Sequence, residues 1–183
     1  MPSSRASPSE KPAAVRSAEV DLGRAVVETF LVNERMNQFL LEHLDPSAWT
    51  APPPLVKEGA GRTIAAIVAH VHNVRHMWLV VSAKGSKVPD KVDRKSLSIA
   101  EAKRALGASA KAMQGLFERS IEAGGKVKDF KPDVVGFLGY VVSHEAHHRG
   151  QIAMLARQLG HALPKEANFG MWEWGKRWKE IAP

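Results

Sequence analysis

The chain has 183 residues, enough for one domain with a substantial core, and no cysteine, which excludes disulfides, thiolate metal ligands and a cysteine nucleophile. Its net charge of +7 arises from 26 basic and 19 acidic residues. Arg5, Lys11 and Arg16 lie in the N-terminal tail and most of the others alternate with acidic residues at helical spacing, a pattern of solvated faces that argues against a nucleic-acid partner.

The opening MPSSRASPSEKPAAVRS has no apolar h-region, so it is not a secretory signal, and no stretch approaches the ~18 consecutive apolar residues of a membrane helix. A soluble, cytoplasmic protein without a membrane partner is expected. Residues 1–17 are rich in Pro, Ser and Ala and are expected to be a disordered tail; residues 18–183 form a single domain. From about Ala18 to His43, Leu22, Val26, Phe30, Leu40 and Leu44 build one helical face that ends near Asp45-Pro46. A long connection with four prolines follows, LDPSAWTAPPPLVKEGAG.

The second helix starts after Arg62 or Thr63 and runs to about Ala83, with the stripe Ile64, Ile67, Val71, Val74, Trp78 and Val81. Lys84 to Leu97 reads as a second long loop. Ser98 and Glu101 have capping-box spacing, and the helix they open stops at Gly124-Gly125. The fourth helix starts near Pro132-Asp133 and ends at Leu159-Gly160. The remaining C-terminal extension holds three of the five tryptophans, Trp172, Trp174 and Trp178, and reads as a packing cap with a substrate wall as the alternative. Four amphipathic helices, two long connections and no alternating segment predict an all-α four-helix bundle.

A helix turns about 100° per residue, which fixes the facing of each histidine. With Ile67 at 0°, His70 lies at about −60°, on the rim of the apolar stripe, whereas His72 and His76 fall near 140° and 180° and point away. With Val141 at 0°, His148 and His144 fall at about −20° and −60°, both inward, and His147 near −120°. The i, i+4 pair His144 and His148 puts two imidazoles on one face, and His70 adds a third from another helix. Buried imidazoles need partners at both ring nitrogens, and a metal ion supplies one partner to all three. Three nitrogen ligands suit one divalent metal, zinc or nickel foremost, with iron and copper also allowed, and they leave a coordination position open.

His144-Glu145-Ala146-His147-His148 also matches HExxH, the zincin protease pattern. The extended zincin form would need histidine at position 154, which is Met154, and Glu166 and Glu173 lie beyond the helix stop at Gly160. A metalloprotease is therefore the minor alternative. Glu145 itself falls at about +40°, inside the apolar stripe. It could orient a ligand, serve as a general base, or pair with Arg149 one turn on. Asn33 and Asn37 stand where leucine would be expected on the first helix and, with Arg149, are candidates for a pocket.

The blocks IAAIVAHVHNVRHMWL and VSHEAHHRGQIAMLARQLG, about 70 residues apart, resemble the DinB/YfiT-like superfamily of bacterial metal-binding proteins. The resemblance spans roughly Ala18 to Gly160. It implies a bundle of the DinB type with metal held at the positions of His70, His144 and His148. It also implies the activities found in that superfamily, which include S-transferases and isomerases using a low-molecular-weight thiol. The expectation is an enzyme whose metal activates such a thiol or water toward a small-molecule substrate, acting as a monomer or a homodimer. The rival is a non-catalytic, metal-bound stress-response or interaction module. A substrate-sized cavity beside the metal favours the enzyme, and a metal sealed by the tryptophan tail favours the rival.

Overall fold

The computed structural model describes residues 20–54, 57 and 61–181. The predicted tail at 1–17 lies outside the described residues. The described residues form six α-helices: α1 (Leu22–Glu42), α2 (Ile64–Ser82), α3 (Ile99–Glu122), α4 (Val134–Gln158), α5 (Lys165–Gly170) and α6 (Trp174–Ile181). No strand occurs among the described residues.

The long helices begin where side chains satisfy their first backbone N–H groups. The carboxylate of Asp21 accepts from Arg24 N, Thr63 Oγ1 from Ala66 N, and Asp133 from Val135 N and Gly136 N. Ser98 and Glu101 form the reciprocal capping box. Gly124 and Gly125, both at positive φ, end α3 where a Cβ would be strained. Between α1 and α2, Pro46–Ala48 makes one 3₁₀ turn capped by Asp45, and Trp49 buries its ring while its Nε1–H donates to Leu97 O at 2.6 Å.

In the bundle α1 packs on α3 and α4, and α2 also packs on α3 and α4, so α1 and α2 lie diagonally. The core is two apolar clusters. One is built around Leu40, Leu44, Ile64, Ile67, Val68, Ile152 and Leu155. The other surrounds Phe30, Leu79, Met113, Phe117, Phe137 and Val141. Between them runs a layer of buried polar side chains from all four helices: Asn33, Glu34 and Asn37 on α1, His72 and Arg75 on α2, Ser109 on α3, Glu145 and His148 on α4. The order of the clusters along each helix makes α2 and α3 run the same way, and the segment 83–98 is the crossover that joins them.

That crossover corrects the expected facing of α2. His72, predicted to point away from the core, is only 1% exposed. The returning chain covers it: its Nε2 lies 2.8 Å from Asp90 O and its Nδ1 3.0 Å from Ala105 O. His76 Nδ1 meets Pro89 O at 2.8 Å, and Asn73 exchanges two hydrogen bonds with Val92. Helical angles report the apolar stripe but not a loop that folds back over the opposite face. Leu22 is a second correction. It is 73% exposed, whereas Val26 and Phe30 of the same predicted face are buried.

The extension folds back over the bundle, with Leu163 and Ala167 buried in the core, but its tryptophans are not what caps it. Helix α6 packs on α1 through Arg177, whose guanidinium lies 4.1 Å from the Phe39 ring centroid. Glu180 adds ion pairs to Arg35 and Arg177, and the Trp178 Nε1–H donates to Glu28. The tryptophans remain open to solvent, Trp172 being 79% exposed.

Candidate metal centre

His70 projects from the second turn of α2, and His144 and His148 project one turn apart from α4. Their ring nitrogens converge: His144 Nε2 lies 3.3 Å from His70 Nε2 and 3.2 Å from His148 Nε2. One ligand atom from each of the three lies within 4.8 Å of the others, so the set could hold a metal ion. Neutral imidazoles facing one another nitrogen to nitrogen leave at least one lone pair without a proton to accept. A cation equidistant from all three relieves this, and metal–nitrogen bonds of about 2.0–2.1 Å in a tetrahedral arrangement place the nitrogens roughly 3.3 Å apart. The donor set fits a borderline metal such as zinc or nickel.

Partners beyond the triad hold the rings. His148 Nδ1–H donates to Gln151 Oε1 at 2.8 Å, leaving the Nε2 lone pair directed at the centre. Gln151 in turn donates through Nε2 to His147 Nε2 at 2.9 Å, which fixes its amide orientation. Tyr140 stacks on the His144 ring, with centroids 6.0 Å apart and planes 15° from parallel. Sequence reasoning assigned no role to Gln151. The signal for it was its i, i+3 spacing from His148 on the same face of α4.

The electrostatics keep the triad neutral. Burial, with repulsion from His148, Arg62 and His144, pulls the His70 pKa down to about 4. Burial lowers His144 and His148 as well, and the Gln151 hydrogen bond offsets part of the effect on His148. Neutral imidazole is the form that binds metal.

Glu145 is buried beside the triad but has a partner other than Arg149. Arg75 grips it with two bonds, Nε to Oε1 at 2.6 Å and Nη2 to Oε2 at 2.7 Å. Asn33 and Asn37 each donate to Oε2, at 2.6 and 2.7 Å. Arg75 also donates to Glu34 and to Leu106 O, and Arg149 donates to Asn37 Oδ1 at 2.7 Å. Burial pushes the Glu145 carboxyl up, but Arg75 and the hydrogen bonds outweigh it and hold the pKa below the ordinary value. The structure thus brings Asn33, Asn37, Glu145 and Arg149 into one buried network. Asn33 is fully enclosed; Asn37, Glu145, His148 and Arg149 border a small inner void. A cavity of about 460 Å³ opens on the other side of His148, lined by Arg62, Ile67, His147, Gln151, Met154 and Leu155 among others.

The DinB family model matches residues 20–179, which takes in every helix from α1 to α5 and most of α6. The chain belongs to the DinB family. None of the curated proteins and none of the solved structures compared with it matches. As a DinB protein it has the helical-bundle fold expected from its sequence, and its histidine triad occupies the two helices that carry the motif blocks.

Proposed function

We propose that this DinB protein is a metal-dependent enzyme in which His70, His144 and His148 hold one zinc or nickel ion and a low-molecular-weight thiol or water is the nucleophile. The observation that carries the reading is the convergence of three neutral Nε2 atoms beside a cavity of substrate size. A divalent ion held there would act as a Lewis acid and lower the pKa of the nucleophile toward neutrality. The chain's own residues supply the rest. Gln151 orients His148, Tyr140 supports His144, and Arg62 places a cation on the cavity wall that would favour a negatively charged ligand. The tryptophan extension sits on α1 and does not seal the triad, which supports an enzyme over a closed structural site. A zincin mechanism is disfavoured, because the HExxH glutamate is clasped by Arg75, Asn33 and Asn37 and has no oxygen free for a water.

The test is elemental analysis of the purified protein, followed by titration of the cobalt-substituted form with a panel of small thiols. About one metal per chain and a new near-ultraviolet sulfur-to-cobalt charge-transfer band are expected, together with turnover of electrophilic acceptors. Metal without a thiol band and without turnover of any acceptor would favour the non-catalytic rival.

A further inference from the structure

A second cavity, about 790 Å³, lies on the far side of α4 from the histidines. Its α4 wall includes the small residues Ala146, Gly150 and Ala153 together with Val142, Arg149 and Arg157, placed roughly 100–180° round the helix from His148. Phe169, Trp172 and Trp174 from the extension form the opposite wall, and all three are exposed. The α4 side is open because its residues are small. A Cβ added at Gly150 would meet no atom within 4 Å. A soluble chain seldom leaves three large aromatic side chains together in solvent without a use for them.

The charge of this cleft is one-sided. Arg149, Arg157 and Lys165 line it, and among the described residues no carboxylate does. Other shielded arginines are neutralised: Arg75 by Glu34 and Glu145, Arg35 by Glu42 and Glu180, Arg177 by Glu180. Arg149 is half-buried, and its hydrogen bond among the described residues goes to the neutral amide of Asn37. Burial pulls its pKa down, and the nearby Glu145 carboxylate, with which it forms no ion pair, offsets only part of the effect. Arg157 and Lys165 are exposed and have no hydrogen-bond or ion-pair partner among the described residues.

We propose that this cleft is a binding site, separate from the histidine centre, for a small amphipathic carboxylate. The carboxylate head pairs with the free N–H groups of Arg149, and an acyl or aryl body lies between the small residues of α4 and the aromatic wall. Arg157 and Lys165 at the mouth draw the anion in. A cleft of this volume matches small-ligand sites and not a flat protein interface.

The experiment is calorimetric and tryptophan-fluorescence titration of the full chain with decanoate, against decanol as the uncharged counterpart. Saturable binding of one decanoate per chain is expected, at least tenfold tighter than decanol. The R157Q/K165Q double variant, which changes only exposed side chains, should weaken decanoate about tenfold at low salt and less at high salt. Gly150→Leu, whose Cβ meets no atom within 4 Å and whose side chain would occupy the cleft, should abolish binding and leave metal content unchanged. Equal binding of decanol, full binding by Gly150→Leu, or attachment to anionic lipid vesicles without uptake of free decanoate would each overturn the proposal.

Discussion

Gln151 and His148 are joined by a bond that decides which nitrogen faces the metal centre. Gln151 Oε1 accepts the Nδ1 proton at 2.8 Å, so the Nε2 lone pair points at His144 and His70. Removing such an outer partner typically costs 10–100-fold in metal affinity. Gln151→Leu is therefore expected to weaken zinc binding by that order with little change in folding, as measured by competition with a chromophoric chelator. His147→Ala, which releases the other end of the Gln151 amide, should have a smaller effect of the same sign.

The three ligands and their buried neighbour should separate cleanly. His70→Ala, His144→Ala and His148→Ala each remove a nitrogen and should reduce bound metal well below one per chain. His72→Ala should leave the metal content intact, yet destabilise the protein by roughly 1–3 kcal/mol, because the ring's single N–H, shared between Asp90 O and Ala105 O, is lost along with its buried packing. Urea denaturation and elemental analysis of the same four variants check both halves.

Glu145→Gln is expected to act on stability. It leaves the Arg75 guanidinium buried without its main counter-charge, a loss of roughly 3–5 kcal/mol for pairs of this kind. Metal should stay bound at temperatures where the variant is folded. A wild-type stability with a turnover loss of ~10²–10⁴-fold would instead identify Glu145 as a general base.

The pH dependence of the metal-free protein follows from the histidine shifts. The folded pKa of His70 lies near 4, below the ordinary 6.5, so the unfolded chain binds more protons between those values. Stability is then full above about pH 6.5 and falls as the pH drops through the folded value. His144 and His148 shift in the same direction and reinforce the trend. Thermal melts of chelator-treated protein from pH 7 to pH 4 should show this decline, and bound zinc should move it to lower pH.

Most of the fold was legible because its signals are local. Thr63, the Ser98–Glu101 box, Asp133 and the glycine stops lie where the sequence reading put the helix ends. The triad was legible because His144 and His148 share a helix face and His70 sits on the rim of another. Arg75 was missed. It lies at about 80° on α2, only some 20° beyond Ile64, and a charged residue just outside an apolar stripe reads as solvent-facing. The inward carboxylates Glu34 and Glu145 were the clue, since buried acids require a cation. His72 was misread for a different reason, because the crossover that covers it is held by tertiary contacts which no periodicity encodes.

The polar layer around Arg75 has a consequence for how the metal is acquired. Directional bonds from Glu34, Asn33 and Asn37 on α1, Arg75 on α2, Leu106 O on α3 and Glu145 on α4 meet at one level of the bundle. Sliding any helix by one residue would break several of them at once. The spacing of His70 from His144 and His148 is thus set by a clasp that contains no metal ligand. In a zinc finger the ion must organise its own loops, and binding energy is spent on folding. Here the clasp holds the three imidazoles in register through bonds that include no metal ligand, so chelation should strip the centre and lower stability without unwinding the bundle.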